Sequence, residues 1–167
     1  MIKMFEQFNN EQIIHDLCRE YVIENYTINE DGTLDVDGSV LISNNPHLKQ
    51  LPLRFNKVSG FFNCSFNKLT SLKGSPKEVG TFFTCYDNKL NDLKYAPNRI
   101  GSWFDCSNNN LKNLVDSPTS KNLFFCEGNP LESLEGYNGD YDKLECEYKE
   151  KLIRKTKLRI LNILWLP

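Results

Sequence analysis

The apolar residues in the middle of this chain return in one fixed spacing, and that spacing is copied four times. In each copy a phenylalanine is followed by cysteine, asparagine and two leucines at the second, fifth, seventh and tenth positions after it. The cysteines are Cys64, Cys85, Cys106 and Cys126, at intervals of 21, 21 and 20 residues. A repeat of this length predicts a stack of turns, because one turn alone cannot bury its apolar groups and neighbouring turns build one continuous core.

Weaker copies flank the four clear ones. Upstream, Ile42 takes the cysteine position, 22 residues before the first of the four cysteines. Downstream, Cys146 repeats the strand half of the unit, but Lys149 stands where the asparagine would be. End copies of a solenoid are expected to be irregular because they cover the open ends of the core. We therefore predict an α/β-solenoid with a short parallel sheet of about six turns over residues 36–148, capped by a helix at each end.

Each copy contains a short strand and a turn that follows it. Phenylalanine and cysteine lie two residues apart, so in a strand both point to the same side, toward the core. The asparagine follows where the chain turns inward, and its amide can satisfy backbone groups of its own and of neighbouring turns. These asparagines are Asn45, Asn67, Asn88, Asn109 and Asn129. The returning segments contain proline or glycine, which favours irregular or extended backbone over a full helix.

Residues 1–35 are predicted to form an N-terminal cap that consists of a helix and a hairpin. The apolar residues at positions 13, 14, 17, 18, 21 and 22 share one helical face. This pattern predicts a helix over residues 10–25, with Asn10 as its N-cap and its apolar face on the first turn of the solenoid. Two short apolar runs, 26–28 and 34–36, flank a turn-rich link and predict a hairpin.

Residues 149–167 are predicted to form the C-terminal cap, in a helix that runs from Tyr148 through Trp165. Its first part is rich in lysine and arginine, and its end, Ile160–Leu166, is apolar. Two interpretations stay open. In the favoured one the helix packs on the last turn, because solenoid ends must be covered. In the other, the apolar end is an exposed tail that binds a partner or a second copy of the chain.

Strand alternation also defines the outward positions, which are the candidate binding surface. The third residue before each cysteine is large and apolar in all four copies, although the core does not require this. Exposed apolar area that is contiguous marks interaction sites, and aromatic residues are typical anchors. The predicted partner-binding residues are Phe61, Phe82, Trp103, Phe125, Tyr86, Asp105 and Phe66. The alternative is that a flanking helix covers the stripe or that a bulge turns it inward.

Composition limits the classes of partner. The chain has 167 residues and a formal net charge of −2, which gives no broad basic face for nucleic acid. No apolar run reaches the roughly 18 residues that a membrane span requires. The first residues lack the apolar segment of a secretory signal. We therefore expect a cytoplasmic protein that binds neither nucleic acid nor membrane.

The cysteines are expected to be structural. There are six, and five occupy the repeating position or its equivalent at the end. We interpret them as reduced core thiols that act as small apolar residues. Disulfides between adjacent turns are the second interpretation, although side chains of in-register parallel strands point the same way and a bridge needs its Cβ atoms closer together. Zinc is least favoured, since the chain has no C-x-x-C pair and only two histidines. We predict no metal and no cofactor.

Catalysis has little support in the sequence. A thiol enzyme would use Cys85 as its nucleophile, but this residue holds a repeat position, and residues 48–167 contain no histidine to serve as its base. The chain also lacks a glycine-rich phosphate-binding motif. The sequence therefore favours a protein without enzymatic activity.

The repeating unit resembles the leucine-rich repeat, L-x-x-L-x-L-x-x-N-x-L. Phenylalanine stands at its second leucine, cysteine at its third, and the repeat's asparagine and next leucine follow. The short period is similar to that of bacterial effector repeats, and more so to the leucine-rich-repeat-like proteins of large tailed phages. This resemblance implies a module for protein–protein interaction, and in a phage protein one that engages a host factor. A structural protein that associates with itself is the alternative.

Overall fold

The computed structural model describes the backbone at residues 2–147 and 149–164, and the side chains at 10–147, 149–158 and 160. Helices form near both ends of the described chain, and short strands lie between them in sequence. In chain order the elements are α1 (Ile2–Glu20), β1 (Tyr26–Ile28), β2 (Leu34–Val36), β3 (Val40–Leu41), β4 (Phe55–Val58), β5 (Phe62–Asn63), β6 (Glu78–Val79), β7 (Phe83–Thr84), β8 (Arg99–Ile100), β9 (Phe104–Asp105), β10 (Thr119–Ser120), β11 (Phe124–Phe125), a 3₁₀ turn (Tyr141–Lys143), β12 (Leu144–Glu145) and α2 (Lys149–Leu164).

The strands form a β-solenoid of about five turns with two parallel sheets. The first sheet has the order β1-β2-β4-β6-β8-β10, in which only β1 and β2 pair antiparallel among the described strands. The second has the order β3-β5-β7-β9-β11-β12 and is parallel throughout. The predicted parallel-sheet solenoid with a helix at each end is confirmed.

The repeating phenylalanine and cysteine lie side by side in the core, as the repeat predicts. In the second sheet Phe62 pairs with Phe83, Phe83 with Phe104, and Phe104 with Phe124. The first two pairs of rings stack with centroids 5.3 and 5.6 Å apart, the Phe104 and Phe124 rings are tilted by 46° at 4.9 Å, and all four are fully buried. The cysteines that follow them, with the leucines of the returning segments, complete the same core.

The asparagine ladder is confirmed for four of the five predicted residues, whereas Asn45 in the first turn accepts from the His47 N–H of its own turn. Asn88 accepts a hydrogen bond from the Leu69 N–H at 2.9 Å through Oδ1, and its Nδ2 donates to the carbonyls of Cys64 and Cys85 at 3.0 and 3.1 Å. Asn67, Asn109 and Asn129 repeat this arrangement one turn earlier and one and two turns later. Each amide therefore joins its own turn to the preceding one where the regular strand pairing ends.

The returning segment is more ordered than the sequence predicts. Its extended part forms the strands of the first sheet, whose inward residues Val58, Val79 and Ile100 are in register and buried. Glycines connect these strands to the second sheet. A Cβ atom on Gly80 would lie 1.9 Å from the Ser59 carbonyl oxygen, and one on Gly101 would lie 1.8 Å from the Gly80 carbonyl oxygen. The corners of the interior turns are therefore so closely stacked that only glycine fits.

The N-terminal cap contains the predicted helix and hairpin, with different helix bounds. Helix α1 begins at Ile2, so the expectation that Asn10 is its N-cap is wrong; Asn10 lies inside the helix. Ile14, Leu17 and Tyr21 pack on the core and Cys18 is fully buried. The helix ends at Glu20, and Val22 adopts a left-handed φ of 52° with 76% of its surface exposed. The apolar stripe thus extends past the point where the backbone leaves the helix.

Helix α2 packs against the last turn, as the favoured interpretation predicts. Leu152 is buried, Ile153 packs on the core, and the Thr156 hydroxyl accepts a hydrogen bond from the Leu134 N–H at 3.0 Å. Tyr148, the predicted first residue, lies outside the described residues. Within the apolar end Ile160–Leu166, the Ile160 side chain is 53% exposed, and the side chains beyond it lie outside the described residues. None of the helices in the described chain has an apolar stretch long enough to cross a membrane.

Candidate functional site

A stack of aromatic rings runs along the outer face of the second sheet. We call Phe61, Phe82 and Trp103 the aromatic ridge. The Phe61 and Phe82 rings lie 4.8 Å apart at an interplanar angle of 5°, and Phe82 and Trp103 lie 4.2 Å apart at 3°. Phe125 meets Trp103 edge-on at 6.1 Å. The ridge forms because in-register parallel strands bring equivalent positions to about the 4.8 Å strand spacing.

The aromatic ridge is outside the core but is not fully exposed. Phe61, Phe82 and Trp103 are each half-buried, whereas Phe62 and Phe83, their neighbours along the chain, are fully buried. Ring stacking hides the two faces of Phe82 between Phe61 and Trp103. The ridge is therefore a fixed apolar surface whose side chains are already ordered by one another.

Polar side chains lie beside the ridge and are held by the backbone. Asn63 and Asp105 each accept a hydrogen bond from the backbone N–H two residues later, at 2.9 and 2.8 Å. Thr84 lies between them in the sheet and its hydroxyl is 2.9 Å from that of Ser65. Burial raises the pKa of the Asp105 carboxyl, although hydrogen bonds from Ser107 oppose this effect. Asp105 is thus a poorly solvated acid next to the aromatic ridge.

A second aromatic pair lies on the other side of this polar column. Phe66 and Tyr86 meet at a steep interplanar angle of 64° with their ring centroids 5.1 Å apart, and the Tyr86 hydroxyl accepts a hydrogen bond from the Asn108 amide at 2.7 Å. Phe66 is 49% exposed and has a φ of +57°. The equivalent residues, which also have positive φ, are Asn44, Asp87, Asn108 and Gly128.

The backbone conformation of Phe66 is costly for its residue type. Asparagine, aspartate and glycine tolerate the left-handed region, whereas for a bulky residue it is a true outlier. Such strain costs about 1–3 kcal/mol and is concentrated at functional sites. The solenoid does not need an aromatic residue here, because the other turns use small polar residues or glycine. Phe66 is therefore a candidate for a role other than folding.

Phe66→Asn tests this strain directly. We expect the free energy of unfolding to stay within about 0.5 kcal/mol of the wild type or to rise, because relief of left-handed strain offsets the lost contact with Tyr86. The matched control, Asp87→Phe, places phenylalanine at the same backbone position one turn later and should cost about 1–2 kcal/mol. Urea denaturation followed by circular dichroism measures both. A loss of more than about 2 kcal/mol in Phe66→Asn would instead identify Phe66 as a packing residue.

The structure brings all seven sequence-predicted binding residues to one face. Phe61, Phe82, Trp103 and Phe125 form a continuous chain of ring contacts. Phe66 and Tyr86 form the separate pair across the polar column, which contains Asp105. Sequence reasoning missed the strained backbone of Phe66, and its only signal was that the other copies have asparagine, aspartate or glycine at this position.

The cysteine thiols of the regular repeats have low reactivity. All six cysteines are free, and Cys85 and Cys106 are fully buried. Burial raises the pKa of both thiols well above the ordinary value, so they are protonated at neutral pH. At the last turn a hydrogen bond with Cys126 lowers the pKa of the half-buried Cys146. Within the described chain, no three or more histidine, cysteine or acidic residues are grouped so that they could hold a metal ion.

The outer face of the first sheet is different in kind. Its in-register outward residues, Asp35, Lys57, Glu78 and Arg99, alternate in charge. Arg99 and Glu78 are 3.7 Å apart and largely exposed. Opposite charges on neighbouring strands balance one another, as is typical of a solvated sheet face. The two outer faces therefore differ, and only that of the second sheet combines aromatic rings with polar groups.

Comparison with protein-family models, with curated proteins and with solved structures found no match for this chain. We therefore infer the function of this chain from the geometry of the outer face of the second sheet.

Proposed function

We propose that this chain is a non-catalytic module that binds a protein partner through the outer face of the second sheet. The observation that carries the proposal is the aromatic ridge: three stacked, half-buried rings that lie outside the core. Large exposed aromatic surface on a soluble fold is typical of interaction sites, and tryptophan and tyrosine are frequent anchors of binding energy.

The ordering of the face favours binding. Side chains that are immobilised on association each cost about 0.5–1.5 kcal/mol, and groups that are already fixed avoid this cost. Stacking fixes the ridge, and backbone hydrogen bonds hold Asn63 and Asp105. The polar column between two aromatic groups also matches the mixture of apolar and hydrogen-bonding groups at protein interfaces.

The nature of the partner follows by analogy. The repeats are similar to leucine-rich-repeat proteins of bacteria and large tailed phages, so we propose a viral protein that meets a host protein in the host cytoplasm. Fold likeness alone does not specify a target, so the partner is identified by affinity purification.

Affinity purification of the tagged full-length chain from its native cells, with identification of bound proteins by mass spectrometry, tests the proposed function. Trp103→Ala and Phe82→Ala are each expected to reduce recovery of the partner at least about tenfold, since central aromatic anchors carry about 2 kcal/mol or more. The matched control is Arg99→Ala on the first sheet, which should recover the same partner as the wild type.

Two measurements accompany this purification. Circular dichroism should show that Trp103→Ala and Phe82→Ala remain folded, since both residues are half-buried outside the core. Light scattering gives the oligomeric state. Equal recovery of the partner by all variants would exclude the ridge as the binding site. A wild-type oligomer that Trp103→Ala converts to a monomer would instead indicate self-association.

A further inference from the structure

The outer face of the second sheet is acidic as well as aromatic. The outward positions lie three and one residues before and one and two residues after Ile42, Cys64, Cys85, Cys106, Cys126 and Cys146. Among the described residues, these positions contain five acids and one lysine: Asp87, Asp105, Glu127, Glu145, Glu147 and Lys143. Among the described side chains, none of these acids has a lysine or arginine nitrogen within 4.0 Å. The ammonium group of Lys143 instead donates to the Lys121 carbonyl oxygen at 3.1 Å.

This acidity belongs to the face and not to the chain as a whole. The whole chain has a net charge of only −2, and the first sheet balances its acids with bases on neighbouring strands. Charges that an isolated fold leaves unbalanced on one face are a source of electrostatic complementarity toward a partner. Two of the acids flank Phe125, which meets Trp103 at the end of the ridge, since Asp105 pairs with Phe125 in the sheet and Glu145 pairs with it from the other side.

Asp105 is the most informative of these acids. It is half-buried beside aromatic rings, and Ser107 is the group that donates hydrogen bonds to its carboxylate. A carboxylate that has lost water without gaining a cation is unfavourable in the free protein. A lysine or arginine side chain brought by a partner would supply the missing charge.

The geometry points to a basic segment of a partner protein as the occupant of this face. Its apolar side chains would lie against the aromatic ridge, and its lysine or arginine side chains would reach Asp105, Asp87 and Glu127. This inference rests on the proposed function and adds the chemistry of the partner.

Two other occupants fit the charges less well. Nucleic acid is disfavoured because its phosphates would face five acids. A second copy of the chain, docked face to face about a two-fold axis, would place the same acidic patch against itself. In such an interface each subunit contributes the same surface, so the charges of that surface must complement one another. Like charges brought together across an interface cost several kcal/mol. The acidic pattern thus favours a different and basic protein.

Matched synthetic peptides test the inference without knowledge of the natural partner. Three short peptides share the same leucine and tyrosine residues, and have lysine, glutamine or glutamate at all remaining positions. Binding is followed by the fluorescence of Trp103 in a Trp165→Phe variant of the full-length chain, and by calorimetry. We expect the lysine peptide to bind at least about tenfold more tightly than the glutamine peptide and the glutamate peptide to bind least, with affinity that falls as salt is raised.

Variants of the protein assign the effect to particular residues. Asp105→Asn keeps an oxygen that can accept from the Ser107 N–H and removes the charge. Combined with Glu127→Gln, it should lower the affinity for the lysine peptide about tenfold. Glu78→Gln removes an acid from the first sheet and is the matched control, with no expected change. Calorimetry with the lysine peptide should show that Trp103→Ala also weakens its binding, because the apolar residues of the peptide contact the ridge.

The outcomes separate this inference from the proposed function. If all three peptides bind equally and only Trp103→Ala weakens them, the face binds proteins but the basic partner is wrong. The inference is also wrong if the lysine peptide does not bind, or if it binds the double variant Asp105→Asn with Glu127→Gln as tightly as the wild type. In either case the purification from native cells still decides the proposed function. If Glu78→Gln weakens the lysine peptide as much as the loss of the two face acids does, binding is unspecific attraction to an acidic protein and the inference fails.

Discussion

Asn88→Ala is expected to lower the free energy of unfolding by about 3 kcal/mol or more. Asn88 is 1% exposed, and its amide makes four hydrogen bonds to backbone groups of two turns, the longest to the Tyr86 carbonyl at 3.4 Å. Alanine would leave the Leu69 N–H without its partner, and the carbonyls of Cys64 and Cys85 would keep only the hydrogen bonds from Asn67 and Asn109. A buried polar group without a partner costs about 1–3 kcal/mol and each further lost hydrogen bond about 0.5–1.5 kcal/mol, and water cannot easily replace the amide between stacked turns. Urea denaturation followed by circular dichroism measures the loss.

Controls in the same chain separate the ladder from asparagine in general. Asn91→Ala, in the same turn but exposed, should change stability by no more than about 0.5 kcal/mol. Asn45→Ala lies in the first turn, where the side chain accepts from the nearby His47 N–H at 3.1 Å and also hydrogen-bonds Tyr21, and should cost about 1 kcal/mol. If Asn88→Ala and Asn91→Ala cost the same, the amide ladder does not hold the turns together.

Gly101→Ala is expected to have a still larger effect, a loss of more than about 4 kcal/mol or failure to fold. The added methyl group would lie 1.8 Å from the Gly80 carbonyl oxygen and 2.7 Å from the Gly80 carbonyl carbon. Both atoms belong to the backbone, so no side-chain rotation can relieve the clash. The turns also cannot separate locally, because the Gly101 N–H donates to the Val79 carbonyl at 2.9 Å.

The last turn provides the matched control for this glycine. Lys121 occupies the equivalent corner, and its exposed side chain begins with the Cβ atom that Gly101 cannot carry. Lys121→Ala should therefore change the melting temperature by no more than a few degrees, since exposed substitutions stay within about 0.5 kcal/mol. A folded Gly101→Ala with a melting temperature close to the wild type would show that the corners are less tightly stacked than their geometry indicates.

The two predictions concern the asparagine ladder and the glycine corners, and the sequence reveals these two features to different degrees. The asparagine ladder was predictable, because the residue recurs at a fixed distance from each cysteine and only its amide suits a buried turn. The glycine corners were not. Gly80 and Gly101 recur in only two copies, with Ser59 and Lys121 at the equivalent positions of the flanking turns. The requirement for glycine at these two positions is evident only in the stacked turns, where a Cβ atom would clash with a backbone oxygen.

The first sheet illustrates a second limit of the sequence. Its interior strands are two to four residues long, and most contain one inward apolar residue, such as Val79 or Ile100. A strand this short shows no alternation, so the pattern could predict extended backbone but not a sheet. Those strands exist because the aligned turns bring their backbone groups within hydrogen-bonding distance of one another. Helix α1 is similar, since nothing in the apolar stripe indicates that the helix begins at Ile2.

The sequence by itself determined that turns stack, which residues face the core, and that large apolar residues repeat on the outer side. It could do so because residues at equivalent positions of a repeat of fixed length have equivalent surroundings. The tertiary structure decided the rest: the first sheet, the glycine corners, the left-handed backbone of Phe66, and the contact of Phe61, Phe82 and Trp103 as one stack. These features arise between turns and not within them. Their physical cause is the close, in-register approach of residues about twenty positions apart in sequence, which no single copy of the repeat contains.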